Sequence, residues 1–90
     1  MTQLYGPELK RIGKMIRSKR EQLGIASMLV LQQHLAKRGV LTTIATLSRI
    51  ETGVQPVSLD WVQELAAIID IPAHQLRPDI ARKFKRECAA

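Results

Sequence analysis

Residues 46–53, with the sequence TLSRIETG, combine apolar and polar side chains at a spacing that suits a hydrogen-bonding surface. Leu47 and Ile50 are three positions apart, so a helix would place both on one face, directed inward. Gly53 follows at the point where such a helix would end. The outward set is Ala45, Ser48, Arg49 and Thr52. This polar face has the size and the chemistry to enter the major groove of DNA.

Several side chains of this helix could contact base edges. With Leu47 as the inward residue, the predicted base-reading set is Thr43, Ile44, Ala45, Ser48 and Arg49. Arg49 could donate two hydrogen bonds to guanine O6 and N7, and Ile44 or Ala45 could contact a thymine methyl group. Two alternatives stay open. Arg49 could instead form a salt bridge or contact a phosphate, and Thr43 could act only as a helix N-cap.

Basic and polar residues on neighbouring segments are candidates for phosphate contacts, which position a protein on DNA without reading its sequence. They lie in the first helix, before the third helix, within the third helix and in the loop after it. The set is Lys14, Arg17, Lys37, Arg38, Thr46, Thr52 and Gln55. For each of them, simple solvation is the competing interpretation.

The charge of the chain favours a polyanionic partner. Its 90 residues carry a formal net charge of +6, with a pI near 10.1. Contacts with several phosphates can dominate affinity through counterion release. Residues 1–24 hold six bases and two acids, residues 77–87 hold five bases and two acids, and residues 59–71 hold three acids and no base. A one-sided anion-binding surface requires such segregation.

Several function classes lack the residues that they require. Cys88 is the single cysteine, so no intrachain disulfide can form, and neither paired cysteines nor closely spaced histidines exist for a zinc site. His34 and His74 lack a nearby nucleophile or carboxylate pattern, and no phosphate-binding loop or dinucleotide fingerprint occurs. The longest apolar run, residues 25–31, is too short to span a bilayer. We therefore expect no enzyme, no cofactor, no metal site and no membrane insertion.

Turn and capping residues predict the first three helices. Gly6 and Pro7 would open helix 1, and Gly24 would close it. Its predicted buried stripe is Leu9, Ile12, Ile16 and Leu23, and its predicted solvated residues are Lys10, Lys14, Arg17 and part of Arg11, Lys19 and Arg20. Ser27 would cap a second helix that runs through Lys37, and Gly39 marks the following turn. The third helix would start at a Thr42 or Thr43 cap, run to about Glu51 and end at Gly53.

Ser58 is predicted to cap a fourth helix, in which Leu59, Val62, Leu65, Ala66 and Ile69 keep helical spacing. Pro72 and Pro78 would each begin a further short helix, one over residues 73–76 and one from residue 79 to about residue 85. Few aromatic residues and many aliphatic ones favour an aliphatic core between helices. The sequence therefore predicts an all-α domain of five or six short helices.

The order of these segments resembles the Cro/lambda-repressor (XRE-type) helix-turn-helix DNA-binding family. The similarity covers about residues 9–71, and its matching segments are residues 12–20, 32–36, 39–40 and 47–53. Arg49-Ile50-Glu51 followed by Gly53 is the most specific match. The segment LRPDI, residues 76–80, is also similar to the ending of some phage Cro-like and YdaS-like regulators. The resemblance implies a single lambda-repressor-like domain, with its helix-turn-helix core at residues 8–72 and a C-terminal helical extension at residues 73–87.

The resemblance also implies roles for three residues. Gln32 and Gln33 would contact phosphates, and Glu51 would need a structural partner such as Arg17 or Arg20. The spacing departs from the family, because the segment from Gly24 to Gln32 is longer than usual. If Ser27 caps the second helix, Gln32 lies one turn inside it and not at its N-terminus. The turn between Ala36 and Leu47 is also one residue longer than usual.

The inserted segment Ala26–Val30 has two interpretations. It could extend the second helix against the C-terminal segment, or Leu29 and Val30 could be exposed and contact a partner protein. Trp61 could likewise be a core residue or a dimer contact.

The function implied by the resemblance is a transcriptional regulator of phage or prophage type. It would bind a palindromic operator in double-stranded DNA as a homodimer, in the cytoplasm at the bacterial nucleoid, and act as a repressor. The alternative is an antitoxin or another protein-interaction module, in which the same fold binds a partner protein.

Overall fold

The computed structural model describes residues 6–79, which form five α-helices. They are α1 (Gly6–Gln22), α2 (Met28–Lys37), α3 (Ile44–Glu51), α4 (Val62–Ile69) and α5 (Ala73–Leu76). No strand occurs between residues 6 and 79, so the all-α prediction is confirmed for this part of the chain. The helix predicted for residues 79–85 lies, apart from its first residue, outside the described residues.

The predicted N-caps of α2 and α3 are confirmed. Ser27 Oγ accepts a hydrogen bond from the Val30 amide at 3.3 Å, and Thr43 Oγ1 accepts one from the Thr46 amide at 3.1 Å. Each cap satisfies one of the free amides in the first turn of its helix. Gln32 adds a further link, because its Nε2 donates to the Thr42 carbonyl at 2.7 Å and fastens the linker between the two helices.

The first three helices end in the same way, at a glycine with positive φ. Gly24, Gly39 and Gly53 have φ values of 78°, 84° and 81°. At each end, the amide of the glycine and the amide after it donate back into the last helical turn. This is the Schellman arrangement, which favours glycine because a side chain is strained at such φ values. These three helix ends were predicted from the sequence.

The core is aliphatic and draws on every helix. Its most completely buried side chains are Ile16, Leu31, Leu35, Leu47, Val57, Leu65, Ile69 and Leu76. Burial of one such side chain contributes about 1.5–3 kcal/mol relative to leaving it in water. Because Leu76 belongs to this cluster, α5 packs with the same core as the first four helices.

Arg77, which follows α5, is hydrogen-bonded to the loop before α4. Arg77 Nη1 donates to the Val57 carbonyl at 2.7 Å, and Arg77 Nη2 lies 2.7 Å from an Asp79 carboxylate oxygen. Both side chains of this ion pair are mostly buried.

Leu23, which was predicted to be buried, and Leu59, which was predicted to lie within the fourth helix, are both exposed. Leu23 is 46% exposed because α1 ends at Gln22 and Leu23 belongs to the turn. Leu59 is 56% exposed because residues 59–61 form a turn before α4. Ser58 was predicted to cap α4 and instead caps this turn, with its Oγ accepting from the Asp60 amide at 3.2 Å.

Two other predictions also need correction. Arg20 was predicted to be partly solvated, yet its side chain is buried because it pairs with Glu51. Of the two residues that one interpretation of the insertion left exposed, Leu29 is exposed and Val30 is half-buried against the core. Trp61 also packs, half-buried, against the core, as one of its two interpretations required.

None of the described helices is long and apolar enough to cross a membrane.

Candidate nucleic-acid interface

All five predicted base-reading residues lie on the exposed side of α3 or at its first turn. Thr43, Ile44, Ala45, Ser48 and Arg49 are exposed. The opposite side of the helix is buried through Leu47, Ile50 and Glu51. The helical spacing therefore divides α3 as predicted, and the exposed side offers both apolar and hydrogen-bonding groups.

A chain of hydrogen bonds runs along this exposed side. The Thr43 hydroxyl donates to Thr46 Oγ1 at 3.0 Å while it accepts from the Thr46 amide. Thr46 Oγ1 also accepts from Arg49 Nη2 at 3.4 Å, and Arg49 Nε donates to Gln55 Oε1 at 2.8 Å. Thr43 is thus a helix cap, as its alternative interpretation stated. Arg49 pairs with neutral groups, and it forms no salt bridge to an acid within residues 6–79.

A buried ion pair joins the C-terminal end of α3 to α1. Arg20 Nε lies 2.8 Å from one oxygen of Glu51, and Arg20 Nη2 lies 3.2 Å from the other. Arg20 Nη1 also donates to the Ile25 carbonyl at 2.8 Å. Of the two partners predicted for Glu51, the structure has Arg20, while Arg17 pairs with Glu21 on the surface. The charge of Glu51 is therefore paired with that of Arg20.

Two glycines let α1 and the end of α3 touch through their backbones. A Cβ atom on Gly13 would lie 2.3 Å from the Glu51 carbonyl oxygen, and one on Gly53 would lie 2.7 Å from the Lys10 Cα atom. No side chain fits at such distances without a shift of the backbone. Helix α3 is consequently held against α1 at a fixed place.

Three basic residues of α1 follow one helical stripe past this contact. Lys10, Lys14 and Arg17 are exposed and lie four and three positions apart. Lys10 lies directly against Gly53, yet it was not among the predicted phosphate contacts. Its spacing from Lys14 could have revealed it. Arg17 forms an exposed ion pair with Glu21 at 3.1 Å, and exposed pairs of this kind contribute little to stability.

The remaining predicted phosphate contacts are dispersed. Thr52 is exposed, and its hydroxyl donates to the Ser48 carbonyl at 2.9 Å. Gln33 is exposed on α2, whereas the Gln32 amide is occupied by the Thr42 carbonyl. Lys37 and Arg38 line a groove with Leu23, Ile25, Ala67 and Ile68, between α2 and α4. The residues that line this groove include none from α3.

The inserted segment contributes to a second, uncharged groove. This groove of about 330 Å³ is lined by Leu29, Gln32, Gln33, Ala36, Val40, Leu41 and Thr42. Leu41 is 92% exposed and Leu29 is 49% exposed. Met28 and Val30 pack against the core, so only part of the insertion is available to a partner.

Within residues 6–79, no group of His, Cys, Asp or Glu side chains is arranged to hold a metal ion. Compared with known proteins, the chain matches no family model, no curated protein and no solved structure.

Proposed function

We propose that this protein binds double-stranded DNA in a sequence-specific manner, with α2 and α3 as a helix-turn-helix unit and α3 in the major groove. The observation that carries the proposal is the exposed side of α3. Its residues Ile44, Ala45, Ser48 and Arg49 are exposed, and their helix is fixed to the core by buried contacts. Base-edge recognition in the major groove uses a few hydrogen-bonding and apolar groups of this kind.

The electrostatics support the same proposal. The α1 stripe of Lys10, Lys14 and Arg17 passes the contact between α1 and the end of α3. Phosphates on either side of a major groove would meet such flanking cations. The neutralised Glu51 adds no net repulsion, because its carboxylate is paired with Arg20.

In the proposed mode of action, the protein is a repressor that binds a palindromic operator as a homodimer. Each subunit reads one half-site, with the two α3 helices about 34 Å apart along the duplex. A bound dimer would repress by blocking access of the polymerase to a promoter. The resemblance of residues 47–53 to the Cro/lambda-repressor family motivates this part of the proposal.

Salt dependence tests the proposal. If about eight phosphates are neutralised, the logarithm of the association constant falls with the logarithm of salt concentration at a slope of about −7. The measurement is fluorescence anisotropy with a duplex selected by the protein from a randomised pool. A flat salt response, or no selected duplex at all, would refute DNA binding.

Matched charge variants sharpen this test. Lys14→Gln should reduce the magnitude of the slope by about one, because it removes one phosphate contact. Lys37→Gln removes the same charge from the groove between α2 and α4, and it should leave the slope unchanged. Equal effects of the two variants would mean that only net charge matters.

A protein-interaction module is the second candidate function, favoured by the exposure of Leu29 and Leu41 beside the uncharged groove. Apolar surface of this kind often marks an interface with another protein. In that case, Leu29→Ser combined with Leu41→Ser would abolish partner binding and leave DNA affinity unchanged.

A further inference from the structure

Arg49 is held by two neutral acceptors on the exposed side of α3. Its Nε–H donates to Gln55 Oε1 at 2.8 Å, and its Nη2 donates to Thr46 Oγ1 at 3.4 Å. A guanidinium group has five N–H donors, so three remain, two on Nη1 and one on Nη2. In the described part of the chain, no group accepts from Nη1. Each of the two outer nitrogens therefore keeps at least one unused N–H donor, on an exposed side chain.

Gln55 is itself fixed in place. The Val54 and Gln55 amides both donate to the Arg49 carbonyl, at 2.8 Å and 3.4 Å, so the loop folds back on the residue that it contacts. Gly53 permits this reversal with its φ of 81°, and Pro56 restricts the backbone on the other side. The Gln55 side chain is half-buried, which limits its alternatives.

We infer that Gln55 is a positioning residue that holds Arg49 ready to read one guanine of the bound duplex through Nη1 and Nη2. The inference rests on the proposed DNA binding and deepens it. Guanine presents the acceptors O6 and N7 side by side in the major groove, and two parallel guanidinium donors match them. Because Nε is already occupied by Gln55, the pair of terminal nitrogens is the edge that faces the base.

This role differs from the phosphate contact predicted for Gln55. A phosphate contact would strengthen binding to every duplex alike. A positioning role instead acts through Arg49, so it changes the preference for guanine over other bases. The preference for guanine increases because the Arg49 side chain is already ordered in the folded protein, so the entropic cost of ordering it does not oppose binding.

The test compares two duplexes, the one that the wild-type protein selects from a randomised pool and its copy with an A·T pair in place of the G·C pair at the position read by Arg49. That position is the one at which Arg49→Ala loses its base preference. Arg49→Ala should remove a discrimination of roughly 5- to 150-fold between the duplexes. Gln55→Leu, which removes the acceptor, should lower the discrimination by roughly 2- to 10-fold.

Two further variants serve as controls. Gln55→Glu keeps an acceptor oxygen and should retain the discrimination, although its charge weakens binding to both duplexes. Gln63→Leu makes the same replacement at an exposed position of α4 and should change neither affinity. If Gln55→Leu weakens both duplexes equally, or changes neither, the positioning role is overturned while DNA binding stands.

The free protein gives an independent readout. In NMR spectra, the Arg49 Nε–H should exchange with water more slowly than that of exposed Arg11, and Gln55→Leu should remove the difference. Equal exchange in the wild-type protein would overturn the inference whatever the DNA result. If the wild-type protein binds no duplex, the proposed function fails and the guanine-reading role fails with it. The exchange rates then still report whether Gln55 holds Arg49.

Discussion

The two ends of α3 are held by different kinds of contact. At the C-terminal end, the Arg20–Glu51 ion pair joins residues 31 positions apart, and it is buried. At the N-terminal end, Thr43 bonds to a residue three positions away, on an exposed surface. Buried long-range contacts resist local opening more than exposed local ones do. We therefore expect Arg49 to be presented rigidly and Ile44 and Ala45 to be more adaptable.

The largest loss of stability should come from removing the buried ion pair at the C-terminal end of α3. Glu51→Ala leaves Arg20 buried, with the Ile25 carbonyl as its one remaining acceptor among residues 6–79. Removal of one partner from a buried ion pair lowers the free energy of unfolding by about 3–5 kcal/mol. Urea denaturation followed by circular dichroism measures the loss.

Glu21→Ala is the matched control, because it removes an acid whose ion pair with Arg17 is exposed. It should lower the free energy of unfolding by less than about 0.5 kcal/mol. Similar losses in the two variants would show that the buried pair does not distinguish this end of α3.

A smaller loss of stability should follow from a substitution that forces α1 and α3 apart. In Gly13→Ala, the new Cβ atom meets the Glu51 carbonyl oxygen at 2.3 Å, so a backbone must move. Overpacking of this kind lowers the free energy of unfolding by about 1–3 kcal/mol. Gly6→Ala introduces the same atom into open space and should cause no loss. The contact would be looser than described if both variants were as stable as the wild type.

The smallest effect should come from the N-terminal end. Thr43→Ala removes the cap from the Thr46 amide and should lower the free energy of unfolding by about 1 kcal/mol. It also removes one donor to Thr46 Oγ1, so the preference at the bases near Ile44 should relax before the preference for guanine does. Binding-site selection with the variant checks this order. A loss of unfolding free energy as large as that of Glu51→Ala would contradict the difference between the two ends of α3.

The sequence predicted the parts of the fold that depend on local chemistry. The caps Ser27 and Thr43 and the three glycine ends were readable because a helix terminus and its capping residue are neighbours in the chain. The predicted burial of Leu23 and the predicted place of Leu59 within the fourth helix were wrong, because helical spacing was extended past the residues where α1 ends and α4 begins. Periodicity alone does not fix such boundaries.

The candidate site was predictable to a similar degree. The exposed set on α3 followed from the inward positions of Leu47 and Ile50. The bond from Arg49 to Gln55 was not foreseen, because it depends on how the loop after Gly53 folds back. The close approach at Gly13 was missed for a related reason, since nothing in the spacing of α1 shows which backbone will press against it.

The link between Arg20 and Glu51 also has a consequence for how this surface forms. With eight residues, α3 is too short to persist as an isolated helix, since helices shorter than about 12–15 residues are marginal in water. Its ion pair can close only after α1 and α3 have docked. Amide hydrogens at the end of α3, such as that of Ile50, should therefore exchange only through global unfolding. The C-terminal part of the surface that we propose reads DNA would then appear and disappear together with the whole domain, in a single cooperative step.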